Sequence, residues 1–328
     1  MKDFFVADAG KSEGTSVTSY FVLSTLQIKE KKQGGQFLSV VLTDKTGSLQ
    51  GVMWDDVADA LANCAEGCYV KVRGQVSKYQ GKFQMTLQQM RFAAESEVDP
   101  GDYMPVTHFD IDEMWAELRG YADAFTNADL KRLVFAFLDD PDIAAAYRAA
   151  PAAKVLHHAW IGGLLEHVLT LVRVCRATAP FYPEVDADLL VTGAILHDIG
   201  KIRELSWKNS FSYTLEGQMI GHISIAQGML LERVKELAPF PDRLRVLVEH
   251  MILSHHGKYE FGSPKLPMTP EAILLNVLDD LEAKMQAVRN EFARAEANGK
   301  GPGEMTDWVR SMERPVLDSQ AYLKQDKS

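Results

Sequence analysis

The sequence has little of what several classes of protein require. Its 328 residues include only three cysteines, Cys64, Cys68 and Cys175, too few and too scattered for a disulfide scaffold. No apolar run approaches the ~18 residues that a membrane helix needs. The first eight residues contain acids and no long apolar stretch, so a secretory signal is not expected. We therefore expect a reduced, cytoplasmic protein with no membrane partner.

The composition is that of a globular protein, with 46% apolar and 24% charged residues. The length allows two domains, because one hydrophobic core rarely grows past ~250 residues. The net charge of −10 is unevenly distributed: residues 1–95 contain 11 basic and 10 acidic residues, and the remainder contains 24 and 35. A polyanion would therefore meet the N-terminal part more easily.

The first 95 residues are typical of strands and turns. Three β-rich runs are followed by a short helical stretch and a hairpin of two more strands. In order, these segments are 20–28, 36–44, 48–54, 55–63, 69–76 and 82–87. This order predicts a five-stranded OB-like Greek-key barrel, with another small β-barrel or sandwich as the alternative.

The pattern changes after a linker at 96–108, which contains Pro100, Gly101 and Pro105. From residue 109 the apolar residues recur with helical spacing, so we expect an all-α domain over 109–298 and a C-terminal extension over 299–328. The fold class is thus multi-domain, β then α. Helices are predicted near 158–177, 186–198, 217–237, 242–255 and 270–297.

Histidines are concentrated in the second part, where eight of the nine lie. The clearest motif is an apolar helix that ends in His197 and Asp198, followed by Gly200 and Lys201. A buried, unpaired Asp beside a His costs several kcal/mol, and a metal ion removes that cost. The carboxylate can bridge two ions ~3.5–4 Å apart, as in two-metal phosphoryl hydrolases. Taken alone, the dipeptide would be better explained by a satisfied core His and an N-capping Asp.

The motif has companions on other predicted helices: His167 upstream, and His222, His255 and Asp279 downstream. The order His, His-Asp, His, His, Asp resembles the HD superfamily of metal-dependent phosphohydrolases. The segments Leu-His-Asp-Ile-Gly-Lys, Leu-Glu-Gly-Gln-Met-Ile-Gly-His-Ile and Leu-Ser-His-His-Gly-Lys, behind an OB-like domain, resemble the YhaM-type 3′–5′ exoribonuclease family. The resemblance covers residues ~15–295.

The resemblance implies a metal centre. His167, His197, Asp198 and Asp279 match the ligands of a first ion, and His222 and His255 match those of a second ion that shares Asp198. We expect two divalent ions, with Mn²⁺ first and Fe²⁺, Ni²⁺, Co²⁺ or Mg²⁺ as alternatives. Imidazole and carboxylate ligands suit such ions better than Ca²⁺, and the lack of thiols argues against structural zinc.

The resemblance also implies an activity, 3′–5′ exoribonucleolytic hydrolysis of single-stranded RNA, with single-stranded DNA as a further substrate. A metal-activated water would attack phosphorus, with Asp198 and Lys201 as catalytic residues. Polarity follows from the resemblance alone. One alternative is an HD phosphohydrolase for small nucleotides with a regulatory or oligomerising OB domain. Another is a non-catalytic single-strand binder with a structural α domain. Self-association is plausible on the same resemblance.

Several residues near the motifs are assigned less directly. On a helical wheel Asp279 lies opposite the main apolar face of its helix, formed by Ile273, Val277, Leu281 and Val288, so the family pattern selects it and periodicity does not. Glu282 or Asp279 could accept a hydrogen bond from a ligand His.

The sequence also predicts where four of the remaining histidines lie. His256 is expected to contact a ligand or phosphate. For His157 and His158, an exposed position at a helix start is the preferred interpretation. His250 is expected to point away from the site, since it lies about 140° round a helix from His255.

Nucleic-acid contacts are expected on the barrel. OB-folds bind single strands with the face of strands 2 and 3 and the loops joining strands 1–2 and 4–5. Lysines for phosphates and aromatic rings for bases are found there. The candidates are Lys29, Lys31 and Lys32 in the first loop and Lys78, Tyr79 and Lys82 around the second. Phe37 and Trp54 fit base stacking and the barrel core about equally.

Overall fold

The computed structural model describes residues 2–31, 34–79, 81–154, 158–207, 211–297, 299–309 and 312–325. It divides into two compact units, one comprising Met1–Val106 with Ser206–Ser212 and the other comprising Thr107–Leu205 with Tyr213–Ser328. The predicted fold class, a five-stranded OB-like barrel followed by a helical domain, is confirmed. The domain limits 1–95, 96–108, 109–298 and 299–328 stay a prediction.

The first unit is a closed barrel with strand order β1-β2-β3-β5-β4. Strands β3 and β5 are parallel and the other neighbouring pairs are antiparallel. Apolar side chains alternate with polar ones along each strand, so one set fills the interior; Phe21, Leu38 and Met85 are fully buried there. The elements are β1 Ser16–Glu30, β2 Gln36–Asp44, β3 Gly47–Met53, α1 Val57–Asn63, β4 Tyr69–Tyr79 and β5 Lys82–Phe92.

The second unit is built from helices. They are α2 Ile111–Asp123, α3 Ala128–Leu138, α4 Pro141–Ala149, α5 Gly163–Thr178, α6 Ala187–Leu196, α7 Lys201–Glu204, α8 Leu215–Ile220, α9 His222–Glu236, α10 Asp242–Ser254, α11 Pro270–Ala297 and α12 Ser319–Gln325. Strands β6 Leu205–Ser206 and β7 Ser212–Tyr213 form a two-stranded sheet. Among the described residues, no helix is both long and apolar enough to cross a bilayer.

Local sequence explains most helix boundaries. Asp140 accepts hydrogen bonds from the backbone of Asp142 and Ile143, so it caps α4, and Pro141 stands at the first helical position. The stretch predicted as one helix over 217–237 is two helices, because Gly221 adopts φ +77° between them. The helix predicted from 158 begins at Gly163.

Helix α11 corrects the wheel analysis. The face that looks most apolar is exposed: Ile273, Val277 and Leu281 keep 52%, 55% and 46% of their surface. The buried face is that of Ala272, Leu275, Leu278 and Glu282, and it includes the half-buried Asp279. The helical wheel is therefore right that Asp279 lies opposite the row of Ile273, Val277 and Leu281, but the most apolar face of α11 is not the buried one.

Candidate metal centre

Six predicted ligands come from five separate segments of the second unit. His167 lies in α5, and His197 and Asp198 directly follow α6. His222 is the first residue of α9, His255 directly follows α10, and Asp279 lies in α11. His167, His197, Asp198 and His255 are at least 97% buried. Most of these side chains therefore lie at helix ends. They can converge on one point without a break inside any helix.

The first group of ligand atoms forms a tight cluster. His167 Nε2 lies 3.2 Å from Asp279 Oδ1 and 3.4 Å from His197 Nε2. Asp198 Oδ2 lies 3.3 Å from His197 Nε2. Ligands about 2.0–2.2 Å from one ion are separated by distances of this size. The structure thus brings His167, His197, Asp198 and Asp279 together, as the resemblance implies.

A second group meets the other oxygen of Asp198. Its Oδ1 lies 3.5 Å from His222 Nε2 and 3.7 Å from His255 Nε2. His256 joins this group, since ligand atoms of His222, His255 and His256 lie within 4.8 Å of one another. Asp198 therefore stands between the two groups with one oxygen toward each.

Each of these imidazoles is held from behind through Nδ1. His197 Nδ1 lies 2.9 Å from the Ala194 carbonyl, and His255 Nδ1 lies 2.8 Å from the Ile252 carbonyl. A carbonyl oxygen only accepts, so Nδ1 carries the proton and Nε2 of the neutral ring offers a lone pair. His256 Nδ1 donates in the same way to the Phe261 carbonyl at 2.8 Å. The tautomer that a metal ligand needs is thereby set by the backbone.

Among the described residues of this centre, three buried polar atoms have no hydrogen-bond partner: Asp198 Oδ1, His222 Nε2 and His255 Nε2. Such atoms are costly unless a ligand satisfies them. Burial acts to raise the pKa of Asp198, but the charge of Lys201 outweighs it and holds that pKa well below its usual range. Burial lowers the pKa of His255. A carboxylate with neutral imidazoles is the donor set that divalent cations bind, so the residues present fit a metal centre.

Lys201 and His256 stand beside the predicted ligands. Lys201 Nζ lies 2.7 Å from Asp198 Oδ2, since one turn separates the two residues. His256 is only partly exposed, and its ring centroid lies 5.2 Å from that of His222. Both groups are thus within reach of an anion bound at the centre. By contrast, His250 Nε2 accepts from the Met268 backbone and lies away from the site, as expected.

Three supporting residues are less visible in the sequence. Glu282 accepts from His167 Nδ1 at 2.6 Å and from His158 Nε2 at 2.8 Å. Glu204 accepts from both the backbone N and Nδ1 of His222, at 2.9 and 3.0 Å. The interpretation of His158 as exposed was wrong, since it is 99% buried. Its companion His157 lies outside the described residues.

Two glycines permit close approaches within the site. A Cβ at Gly200 would lie 2.0 Å from the His222 carbonyl oxygen, and one at Gly163 would lie 2.0 Å from the His158 carbonyl oxygen. Both distances are impossible for a real side chain. Gly200 therefore lets the segment carrying Asp198 touch the start of α9, where His222 stands.

The barrel residues predicted to bind nucleic acid lie on the other unit. Phe37 and Trp54 stack on each other, with ring centroids 4.6 Å apart, and Trp54 is 44% exposed. They are thus surface rings and not core rings. Lys31 Nζ donates to the Trp54 carbonyl at 2.7 Å. Lys29, Lys78, Tyr79 and Lys82 are exposed at the two expected loops, whereas Lys32 lies outside the described residues.

Comparison with known proteins agrees with this geometry. Residues 164–284 match the HD domain family, and residues 25–93 match the OB-fold nucleic acid binding domain family. Proteins named 3′–5′ exoribonuclease YhaM are similar over nearly the whole chain. The relative from Geobacillus sp. (strain WCH70) is 33% identical over 93% of this chain and 94% of its own length. The relative from Bacillus subtilis (strain 168) is 35% identical over 92% and 93%.

The chain belongs to the YhaM family. Its HD domain makes it a member of a divalent-metal hydrolase class. Among solved structures, a domain of replication protein A from Methanococcus maripaludis is 28% identical and covers 26% of this chain and 89% of that one, with a TM-score of 0.22. The single-stranded DNA binding protein from Thermus aquaticus is 13% identical and covers 26% and 42%, with a TM-score of 0.23.

Proposed function

We propose that this protein is a metal-dependent 3′–5′ exoribonuclease that hydrolyses single-stranded RNA, with single-stranded DNA as a further substrate. The observation that carries the proposal is the convergence of His167 and His197 on one oxygen of Asp198, with Asp279 beside both imidazoles. His222 and His255 meet the other oxygen of Asp198. Family membership adds the substrate class and the polarity, because the relatives are named 3′–5′ exoribonucleases.

The site suits two divalent ions that share Asp198. We propose Mn²⁺ as the native ion, with Fe²⁺, Ni²⁺, Co²⁺ and Mg²⁺ as alternatives, because mixed imidazole and carboxylate ligands favour such ions. Bound ions would supply Lewis-acid charge and an activated water for attack on phosphorus. The proposed ligands are His167, His197, Asp198, His222, His255 and Asp279.

The chain's own residues would orient the phosphodiester. Lys201 carries its ammonium group 2.7 Å from Asp198, so it can hold a non-bridging phosphate oxygen at the same place. His256 offers a ring nitrogen within 4.8 Å of those of His222 and His255, and it can donate to phosphate when protonated. Glu282 and Glu204 keep His167 and His222 in position from behind.

The barrel would hold the strand away from the scissile bond. Residues after 95 carry 24 basic and 35 acidic residues, so this part of the chain repels a polyanion except where cations are bound. The barrel offers exposed lysines and the Trp54 ring, which suit sequence-tolerant binding to single strands. We propose Lys29, Lys31, Lys32, Lys78, Tyr79 and Lys82 as strand contacts.

Location and assembly are part of the proposal. All three cysteines are free of disulfides, which suits the reducing cytoplasm. The outer row of α11, defined as Ile273, Val277, Leu281 and Met285, exposes four large apolar side chains at i, i+4 spacing. An apolar row of this kind suits contact with a second copy of the chain.

An end-labelled strand tests the activity. Wild-type protein with Mn²⁺ should shorten a 3′-extended single-stranded RNA stepwise to nucleoside monophosphates, and Asp198→Ala should reduce the rate by at least ~100-fold, because Asp198 contacts both ligand groups. Asp280→Ala is the matched control, since this exposed acid of α11 pairs with Lys284. Intact RNA together with phosphate release from small nucleotides would instead favour a nucleotide phosphohydrolase.

A further inference from the structure

A groove of about 600 Å³ opens on the barrel, and Met53, the last residue of β3, is part of its lining. It follows the outer face of β4 and β5, with β1 beside it. We call it the β4–β5 groove. Its lining residues are Thr18, Met53, Asp56, Lys71, Val72, Arg73, Gln89, Met90 and Arg91.

The strand register places basic side chains together in this groove. Lys71 of β4 is the direct partner of Arg91 of β5, and Arg73 is the partner of Gln89. The alternate residues Val72 and Met90 are buried, so the basic side chains project outward. Like charges directly opposite each other destabilise an antiparallel pair, and an anion between them would remove that cost.

The nearby acids compensate only one of these cations. Arg91 donates two hydrogen bonds to Glu97, at 3.0 and 2.7 Å. Within the described part of the chain, Lys71 and Arg73 have no carboxylate at ion-pair distance; Lys71 Nζ lies instead 4.9 Å from the centre of the Tyr20 ring. Asp56 is the single acid in the lining. The groove therefore presents two uncompensated positive charges beside an aromatic ring.

The groove continues from a surface already proposed to bind the strand. Lys78 and Lys82 lie at the β4–β5 hairpin, seven residues along β4 from Lys71. At ~3.4 Å per residue this corresponds to about 24 Å of strand. A single nucleic-acid strand that leaves the hairpin can thus follow β4 and β5 and place phosphates at Lys71 and Arg73.

We propose that the β4–β5 groove is a second binding track for the phosphodiester backbone of a single-stranded nucleic acid, held by Lys71 and Arg73. The proposal rests on the exonuclease function proposed above and adds a contact outside the β2–β3 face. The occupant is a polyanion and not a protein, because the lining is polar and cationic and its apolar members are buried strand residues. Its contribution should be electrostatic and independent of sequence.

Salt-dependent binding tests this track. The full-length protein with Asp198→Ala, which prevents digestion, is titrated with fluorescent 6- and 24-nucleotide RNAs at several salt concentrations. Combining Lys71→Ala and Arg73→Ala should weaken binding of the 24-mer about 10-fold near 150 mM salt. The slope of log K against log salt should fall by about 1.4, since each lost phosphate contact removes about 0.7. The 6-mer should change less than 3-fold.

Lys45→Ala is the matched control, because this barrel lysine pairs with Asp102 at 2.8 Å. It removes one of the two positive charges that the double variant removes, and it should leave the slope unchanged. A slope change in the double variant no larger than that of Lys45→Ala would overturn the track, even if the wild type degrades RNA. If the wild type neither binds nor degrades a strand, the proposed function itself fails, and the track fails with it.

Discussion

At the scale of single residues, the geometry of the centre depends on the hydrogen-bond partner of each ligand histidine's Nδ1. His167 is fixed by Glu282, and Glu282 is fixed in turn by His158, which is 99% buried and adopts φ +50°. On the far side of His158, Glu166 accepts from Thr107 and Trp160, at 2.7 and 2.8 Å. The hydrogen bonds from His158 to Glu282 and from His167 to Glu282 therefore position the first ligand from outside the centre.

Removing His158 should weaken metal binding without dismantling the fold. We expect His158→Ala to lower the affinity for Mn²⁺ about 10–100-fold, as loss of a partner behind a ligand His does elsewhere. His158→Gln, which can still donate to Glu282, should recover part of that loss. Calorimetric titration of the metal-free protein measures both, with His250→Gln as a control away from the site. Equal affinity in His158→Ala and the wild type would contradict this role.

Acid stability should report on Glu282. Burial acts to raise the pKa of Glu282, but hydrogen bonds from His158 and His167 bring it to about 2. A carboxyl pKa below its ordinary 4.5 means that the folded state binds fewer protons, so this stabilisation is complete above pH 4.5 and is lost as the pH falls toward 2.

The effect amounts to roughly 3 kcal/mol, from 1.36 kcal/mol per pKa unit. Glu282→Gln should therefore reduce the free energy of unfolding of the metal-free protein at pH 7 and flatten its decline between pH 4.5 and 2. Chemical denaturation at several pH values in that range measures how the free energy of unfolding changes with pH in the wild type and in Glu282→Gln. Parallel curves for the two proteins would show that Glu282 does not titrate as described.

Residue identities were predictable where a motif is compact. The neighbours His197 and Asp198 can be recognised in the sequence, because two polar residues ending an apolar helix need an explanation. Glu204 and His158 carry no such signal, since each contacts its partner across 18 and 124 residues of chain. The need for glycine in the Leu-Glu-Gly-Gln segment cannot be read from the sequence. It arises because Gly217 packs against the backbone of Glu204, where a Cβ would not fit.

At the scale of elements, α11 shows why periodicity failed. The inner face of α11 contains Leu275, Asp279 and Glu282. A hydrophobicity scale treats carboxylates as exposed, so it assigns this face to the surface. The barrel strands were easier to predict because their interior positions are mostly apolar, with Ser19 and Asp44 as buried polar exceptions. The break at Gly221 and the start of α5 after Gly162 depend on a positive φ, which glycine permits but does not by itself predict.

The β2–β3 surface carries its own prediction. Trp54 is 44% exposed and stacks on Phe37, so it can offer its outer face to a base. Trp54→Ala should weaken binding of a single strand by about 1–3 kcal/mol, the usual contribution of one stacked base. Quenching of Trp54 fluorescence on RNA addition gives a second readout. Tyr182→Ala removes a ring of equal exposure from the helical unit and should leave binding unchanged.

At the scale of the whole molecule, the outer row of α11 should decide whether the chain self-associates. Leu281→Glu places a charge in a row of apolar side chains and should shift the protein toward a monomer. Phe181→Glu introduces the same charge at a 79% exposed apolar residue elsewhere in that unit and should have no effect. Light scattering over a concentration series gives the mass of each variant. A monomeric wild type would refute the second-copy contact.

The general plan of the chain was the most predictable level. The change from period-two to helical spacing near residue 100 separates β from α, and five strands with one short helix permit few barrel topologies. The two-residue strands β6 and β7 escaped prediction, because so short a run has no periodicity. The tail after 298 also has more structure than its glycines indicate, with Val309 buried and α12 beyond it.

The close contact at Gly200 limits which substitutions this position can accept during evolution. The loop after α6 and the first turn of α9 are 22 residues apart along the chain, yet only a hydrogen atom fits between them. An alanine at position 200 would push the segment carrying Asp198 away from His222, although every ligand residue would still be present. A chain could thus keep its whole set of ligand residues and still lose the ability to bind a cation, because of one added methyl group.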